Sequence, residues 1–316
     1  MLILRVSLTL AILTQIFFSA NNQLPTWFWF QELSINFGAY WLVLHVLTIA
    51  LLLLFGRRLR VPARLLSVFL LALFSFQYLY QLRSFLFFPP RKVAAEMTHS
   101  LRVVLATVGP GKQSVEETGT MLARQSADVV GLLGASSEAL VSLGLTQVYP
   151  YYREIPREDG FGAALYSRFP ITGDVQTSVG ELLPPIISTQ IALDEKRTLP
   201  LILFQAPEIF ERESFYLHRL SVRRVSTPLR QTSGPLLVFG NFNASEFSGS
   251  YKRFRNAGKL RDAMAGFGYY RTWDASGALW RLNFDHLLYR KLGVRSFERL
   301  PSTGAKHFPI SVEFSW

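Results

Sequence analysis

Residues 235–250 read PLLVFGNFNASEFSGS, an apolar run that passes directly into a polar turn. Residues 236–239 are all large and apolar, and Gly240 and Asn241 follow them at once. An apolar run of this length that ends at a glycine is typical of a buried β-strand. Such a strand carries the polar residues at its end to the edge of a sheet, so we expect Asn241 and Asn243 at the mouth of a pocket.

The chain from residue 101 to the C-terminus repeats this pattern of short apolar runs and turn signals. The predicted strands span residues 101–106, 128–133, 162–167, 186–193, 199–205, 235–241 and 284–289. Two helices are predicted: one begins with a capping box formed by Ser114 and Glu117 and runs to Gln125, and the other covers residues 211–229. Because strands greatly outnumber helices, the pattern predicts two sheets stacked face to face with helices outside them.

Three long apolar segments precede this region, at residues 2–20, 37–55 and 65–82. Each is long enough to cross a hydrocarbon core of about 30 Å, so the sequence predicts a membrane region over residues 1–90 with three transmembrane helices. A linker follows at residues 91–100. The alternative for the first segment is a cleaved signal peptide, although Phe18 is poorly suited to the −3 position of a cut after Ala20.

The basic residues set the orientation predicted for these helices. Arg57, Arg58, Arg60 and Arg64 lie in the short loop between the second and third segments. Because loops rich in Lys and Arg stay in the cytoplasm, the domain over residues 101–316 is predicted to be extracytoplasmic, and periplasmic in a Gram-negative bacterium. Of the net charge of +11, residues 1–96 carry +6 from eight bases and two acids, which leaves +5 for the rest. This mild bias is weak evidence for a nucleic-acid partner, and none is expected.

Aromatic residues cluster between the first two segments, at Trp27, Phe28, Trp29 and Phe30. Aromatic side chains at the boundary of a span usually anchor in the headgroup region, so residues 25–35 are predicted to form a short interfacial helix. The alternative is a partner-binding face. The chain has no cysteine, which excludes disulfides and thiolate metal sites.

Seven stretches of the C-terminal region occur in an order that resembles the endonuclease/exonuclease/phosphatase superfamily. They are LRVVLATV, ADVVGLLG, GFGAALYSRFPI, PLLVFGNFNAS, GFGYYRTW, RLNFDHLLYR and AKHFPISVEF, and together they span residues 101–316. The resemblance implies a four-layered α/β sandwich. It is greatest to bacterial members that carry three N-terminal membrane spans and an external domain of the catalytic type.

Active members of this superfamily hold one or two Mg²⁺ ions with oxygen ligands and hydrolyse phosphoesters. The resemblance implies eight polar positions, of which three are retained here, as Asn243, Asp285 and His307. The other five positions differ from the residues that the resemblance implies. Thr107 occupies the position of an Asn, Gly134 that of the metal-binding Glu, Gln205 that of a His, and Asn241 and Lys306 each that of an Asp.

These changes predict that the Mg²⁺ site is lost, that no cofactor is bound and that no residue is catalytic. Mg²⁺ sheds its water reluctantly and needs carboxylate charge, and the amides of Asn241 and Gln205 cannot act as a general base. The remaining Asp285 is expected to pair with Lys306. Glu138 and Glu246 lie near the changed positions in sequence, but both are expected to be solvated surface residues.

The sequence therefore predicts a catalytically inactive accessory or assembly subunit of a bacterial inner-membrane complex, in contact with lipid and with an integral-membrane protein. One alternative is a module that binds an anion or phosphoryl group in the former pocket, with Lys306, His307 and Asn243 as the ligand-binding candidates. The other is a divergent metal-dependent phosphodiesterase or phosphatase.

Overall fold

The computed structural model describes residues 2–55, 61–176, 182–274, 276, 277 and 279–316. Four helices precede the first strand: α1 (Leu2–Asn21), α2 (Trp29–Asn36), α3 (Gly38–Phe55) and α4 (Val61–Leu86). The short helix predicted over residues 25–35 is present as α2, but it begins only at Trp29, so Trp27 and Phe28 precede it. Three of the arginines on which the predicted orientation rests, Arg57, Arg58 and Arg60, lie outside the described residues.

Twelve strands follow and form two six-stranded sheets of mixed direction. The first sheet has the order β11-β12-β1-β2-β4-β3, from β1 (Ser100–Thr107), β2 (Val129–Leu133), β3 (Tyr151–Ile155), β4 (Ala163–Ser167), β11 (Gly293–Arg299) and β12 (Ile310–Ser315). The second has the order β5-β6-β7-β8-β10-β9, from β5 (Ile171–Gln176), β6 (Ile186–Ala192), β7 (Thr198–Gln205), β8 (Leu236–Asn241), β9 (Arg261–Asp262) and β10 (Asp285–Arg290). In each sheet the two central strands are parallel, β1 with β2 and β7 with β8.

The two sheets pack face to face, and a pair of helices covers the outer face of each. Alternation along β1 shows how the sequence produces this: Val103 and Leu105 lie in the core between the sheets, whereas Val104 and Ala106 lie under the outer helices. Helices α5 (Lys112–Gln125) and α6 (Ser137–Leu143) cover the first sheet, and α7 (Arg212–Leu229) and α8 (Gly249–Ala257) cover the second. The predicted four-layered α/β sandwich is confirmed.

All seven predicted strands and the helix over 211–229 are confirmed, each to within one residue at either end. The predicted capping box is wrong, because α5 begins at Lys112 after Gly111, and the Ser114 hydroxyl accepts a hydrogen bond from the Gly109 amide at 3.1 Å instead. The strands β3, β5, β9, β11 and β12 and the helices α6 and α8 were not predicted. β3 is largely exposed and β11 contains an irregularity in its register, so neither has the clean alternation by which a strand is recognised.

The N-terminal helices share a core with the sandwich. Phe74, Tyr78 and Leu82 of α4 belong to the same buried apolar cluster as the side chains between the sheets. The loop between β8 and α8 is also held by α2, because Asn36 Oδ1 accepts a hydrogen bond from the Ser245 amide at 2.7 Å and the Glu32 carboxylate accepts one from the Ser248 hydroxyl. The helical region and the sandwich are therefore joined by packing as well as by chain connection.

The opposite faces of these helices are apolar and exposed. Side chains with at least half of their area exposed include Leu13, Phe17, Val46, Leu54, Phe69 and Phe76. One described helix, α4, is long and apolar enough to cross a membrane, and a second candidate arises if α2 and α3, which are bent by 68°, act as one span. The apolar part of α1, Val6–Asn21, is shorter. The three predicted spans therefore remain a prediction.

Replacing Gly38 with alanine is expected to destabilise the protein, because a Cβ there would lie 2.5 Å from Cδ1 of the buried Phe247 ring. Overpacking costs about 1–3 kcal/mol, which exceeds the gain in helix propensity of up to about 1 kcal/mol. Thermal unfolding of the full chain in detergent measures the change.

Gly119→Ala is the matched control, because its Cβ would meet only the Leu143 side chain, at 3.4 Å. This variant is expected to be at least as stable as the parent. A Gly38→Ala protein that unfolds no earlier than the parent would show that α3 does not pack against Phe247.

Candidate functional site

The ends of the central strands bring most of the predicted polar positions to one edge of the sandwich. In the second sheet, Asn241 at the end of β8 is paired with Gln205 of β7 on one side and with Asp285 of β10 on the other. In the first sheet, Thr107 ends β1 beside the end of β2, directly before Gly134. Six of the eight positions line one cavity of about 680 Å³: Thr107, Gly134, Gln205, Asn241, Lys306 and His307.

Asp285 lies behind this cavity and is paired with His307. Its Oδ2 is 2.7 Å from Nδ1 of His307, and both side chains are buried. The expected pair between Asp285 and Lys306 is wrong, because the carboxylate partner is His307 and the Lys306 side chain is exposed. His307 takes the buried place because its backbone forms a β-bridge with Trp273, which leaves the preceding Lys306 on the outside.

Asn243 also lies behind the cavity, in a turn that is stabilised by hydrogen bonds from its backbone N–H and its side-chain amide. The Asn243 backbone N–H donates to Oδ1 of Asn241 at 2.8 Å, and the Asn243 side-chain amide donates to the Ala206 carbonyl at 2.7 Å. Of the three ligand-binding candidates, Lys306 and His307 line the cavity, whereas Asn243 does not. Asn243 therefore positions Asn241.

Gly134 combines a backbone conformation that favours glycine with a close approach of another backbone segment. Its φ is +73°, in the left-handed region, and a Cβ added there would lie 2.9 Å from the Val108 carbonyl oxygen. Any residue with a side chain would therefore require the backbone to shift. The position at which the resemblance implies a metal-binding Glu cannot accept one in this conformation.

Charged side chains line the rest of the cavity, and the sequence did not predict that they would meet there. The lining contains three basic side chains, Lys112, Arg157 and Lys306, and four acidic ones, Glu138, Glu158, Asp159 and Glu208, which gives a formal charge of −1. Arg157 and Asp159 form an ion pair, and the hydrogen bond from Arg157 lowers the pKa of Asp159. The charged run at residues 157–159 and the position of Glu138 close after Gly134 were the sequence signals that could have indicated this lining.

Glu246 is buried, so its prediction as a surface residue is wrong. The Tyr269 hydroxyl donates to its carboxylate at 2.6 Å, and burial raises the pKa of Glu246. His286 lies in the same region, with Nδ1 3.0 Å from Asp262 Oδ2 and Nε2 3.0 Å from the Ala244 carbonyl. Burial lowers the pKa of His286, but the hydrogen bond to Asp262 and the nearby negative charges raise it more. None of these four residues lines the cavity, so the network supports the loop after β8.

The donors around the cavity do not fit a divalent cation. Within the described ranges, no group of three or more His, Asp or Glu side chains is arranged to hold a metal ion. The oxygen of Asn241 is engaged by the Asn243 amide, and Asp285 is engaged by His307. Gln205 differs from these residues: it is only 9% exposed, and its buried Oε1 has no hydrogen-bond partner among the described residues.

Comparison with known proteins agrees with this architecture. The model of the Endonuclease/Exonuclease/phosphatase family matches residues 108–311, which is more than half of the chain, and the protein belongs to this family. No curated protein of related sequence was found.

Several solved structures share the fold at low sequence identity. A humanized TDP2 from D. rerio is 15% identical with a TM-score of 0.55, and the match covers 68% of this chain and 98% of that one. A family member from Bacteroides thetaiotaomicron is 17% identical with a TM-score of 0.52, covering 69% and 95%. The beta toxin of Staphylococcus aureus is 15% identical with a TM-score of 0.51, covering 67% and 99%. At these identities the likeness shows the fold alone.

Gly134→Ala is expected to destabilise the protein more than Gly144→Ala. Both glycines have positive φ, +73° and +59°, so each substitution carries the left-handed penalty of about 1–2 kcal/mol. Only the Cβ at position 134 would also meet a backbone oxygen, whereas nothing lies within 4 Å of the one at position 144. We expect a further loss of about 1 kcal/mol or more for Gly134→Ala. Chemical denaturation compares the two variants, and equal losses would contradict the close approach of Val108.

Proposed function

We propose that this protein is a membrane-anchored, non-hydrolytic member of its family that serves as an accessory subunit of a membrane complex. The observation that carries the proposal is the composition of the cavity at the strand ends. Gly134 and Asn241 stand at positions where the family resemblance implies metal-binding or water-orienting acids, and the remaining carboxylate, Asp285, is buried behind the cavity against His307.

Metal-assisted hydrolysis needs a cation to stabilise the charge on the phosphate and a group that activates water. The cavity offers amides, a hydroxyl and an ammonium group at the relevant positions, and none of these holds Mg²⁺ strongly. The acidic residues Glu138, Glu158 and Glu208 lie in the lining but do not form a three-ligand group with any other side chain described. The donor set therefore supports binding without hydrolysis.

The apolar outer faces of the N-terminal helices support membrane anchoring. In α4, only 22% of the most apolar 18-residue stretch is buried inside the protein, which differs from the buried core helix of a soluble domain. The arginine-rich loop between the predicted second and third spans supports a cytoplasmic position for that loop. On this basis we place the sandwich on the extracytoplasmic side of a bacterial inner membrane.

The rigid attachment of the helices to the sandwich supports an accessory role. Side chains of α4 enter the core of the sandwich on one side and present exposed apolar groups such as Phe69 and Phe76 on the other. Another integral-membrane protein that packed on the exposed face would hold the sandwich in a fixed place above the membrane. A fold can be retained for such a contact after its chemistry is lost.

Thermal unfolding of the full chain in detergent tests the non-hydrolytic proposal. Millimolar Mg²⁺, Mn²⁺ or Ca²⁺ is expected to leave the unfolding temperature unchanged, because a ligand stabilises a protein only when it binds the folded state. In parallel, phosphodiester and phosphomonoester substrates are expected to turn over no faster than in buffer alone. The Asp285→Asn variant serves as the matched control. Turnover that this variant abolishes would overturn the proposal.

Extraction of the native protein in mild detergent tests the accessory role. We expect an integral-membrane protein to co-purify in a fixed stoichiometric ratio, because the exposed apolar faces of α3 and α4 would be covered in the complex. A tagged, unrelated membrane protein extracted in the same way identifies proteins that are captured non-specifically. A chain that purifies alone, as a monomer, would contradict the accessory role.

A ligand-binding module is the second candidate function, and the unpartnered Oε1 of Gln205 favours it. This buried oxygen lines the cavity and would accept a hydrogen bond from a ligand. Because the lining carries both signs of charge, a simple anion is less well matched than a polar ligand that has a donor group. Inorganic phosphate, added in the same unfolding experiment, distinguishes the two: stabilisation that Lys306→Glu removes would support the anion-binding alternative.

A further inference from the structure

A second cleft lies between the N-terminal helices and the sandwich, away from the cavity at the strand ends. It has a volume of about 370 Å³ and is bounded by the turn at residues 22–26, by α7 and by α8. Four basic side chains line it, two from each sandwich helix: Arg219, Arg223, Lys252 and Arg253. Arg219 and Arg223 are four residues apart on α7, so both lie on the same face of the helix.

The positive charge of this cleft is not balanced. Among the described residues that line it, Glu32 is the only acid, and this side chain is buried and accepts a hydrogen bond from Ser248. Within the part of the chain that the structure describes, the four basic side chains make no ion pair and no hydrogen bond; Arg219 lies over the Phe215 ring at 5.4 Å. Burial and repulsion from Arg223, Arg219 and Arg230 lower the pKa of Arg253, against the attraction of Glu32, which raises it. An anion in the cleft would relieve this repulsion.

The cleft lies where the apolar helix α1 ends. The turn that forms one wall follows Asn21, the last residue of α1, and contains the exposed Leu24. The next residues, Trp27 and Phe28, are 72% and 59% exposed. Aromatic side chains at the end of an apolar helix are typical of the headgroup level of a bilayer. If α1 is anchored in the membrane, the cleft opens among the lipid headgroups.

The cleft differs from the cavity at the strand ends in the charge of its lining. That cavity is lined by three basic and four acidic residues, whereas this cleft is lined by four basic residues and one acid that is already engaged. Guanidinium and ammonium groups that converge in this way are suited to a phosphate group, which accepts several charge-assisted hydrogen bonds at once. The distribution of charge therefore favours the cleft over the cavity at the strand ends as an anion site.

We propose that the cleft between the 22–26 turn and helices α7 and α8 binds the phosphate of an anionic lipid headgroup. Arg219 and Arg223 contact the phosphate from one side, Lys252 and Arg253 contact it from the other, and Leu24 lies against the lipid chains. This inference rests on the membrane anchoring proposed above. It assigns a lipid contact to the sandwich itself, which would fix the distance and orientation of the sandwich relative to the bilayer.

The test uses the full chain in a neutral maltoside detergent, titrated with short-chain phosphatidylglycerol and followed by intrinsic tryptophan fluorescence. Phosphatidylcholine of the same chain length is the comparison lipid, and only the anionic lipid is expected to bind with saturation. The double variant Arg223→Gln, Arg253→Gln is expected to bind phosphatidylglycerol on the order of tenfold to thirtyfold more weakly, since each basic group near an anionic lipid contributes about 1 kcal/mol.

The matched control is Arg124→Gln, Arg153→Gln, which removes the same charge from exposed positions outside the cleft. This variant is expected to bind as the parent does. Equal binding of the two lipids, or equal weakening by the two double variants, would overturn the proposal. Glycerol 3-phosphate distinguishes the source of the phosphate: affinity equal to that of the lipid would overturn the lipid assignment in favour of a soluble ligand.

Carbonate extraction of native membranes separates this proposal from the one on which it rests. A chain that stays in the membrane but binds both lipids equally would refute the cleft alone. A chain that carbonate releases would refute the anchoring, whatever the lipid titration shows.

Discussion

Apolar contact between the inner faces of the two sheets positions every other part of this protein. Side chains such as Val103 and Leu105 from the first sheet meet Leu203 and Phe239 from the second, and each is almost fully buried. Burial of one such side chain stabilises the folded state by about 1.5–3 kcal/mol. The same cluster extends to Tyr78 of α4, so one continuous core fixes both the strand register at the cavity and the attachment of the N-terminal helices.

Hydrogen bonds between polar residues hold the strand ends at the cavity in place. Asp285 and His307 remain paired at 2.7 Å, and Asn241 and Asn243 remain joined in a turn. Loss of one partner from a buried hydrogen-bonded pair leaves the other unsatisfied, at a cost of about 1–3 kcal/mol. Packing and hydrogen bonding are therefore sufficient to explain the presence of these residues, which does not by itself indicate catalysis.

The cavity at the strand ends and the cleft beside α1 differ in their electrostatics. The cavity at the strand ends combines both signs of charge and a buried amide oxygen without a partner, whereas the cleft beside α1 concentrates basic side chains around one engaged carboxylate. The first arrangement suits a polar ligand or no ligand, and the second suits an anion. A sandwich held by the N-terminal helices and by lipid phosphate in the adjacent cleft would be oriented as well as anchored.

The sequence by itself determined the seven best-patterned strands, because short apolar runs bounded by turn residues are local signals. Its resemblance to a known superfamily indicated the four-layered sandwich and the six positions that meet in the cavity. It could not determine the irregular strands, the partner of Asp285 or the burial of Glu246. Nor could it show that residues 157–159 join the cavity or that the turn after α1 meets α7 and α8. Those features depend on contacts between residues as far apart as Glu32 and Ser248, which only the tertiary structure decides, because the packing of the core selects which distant side chains meet.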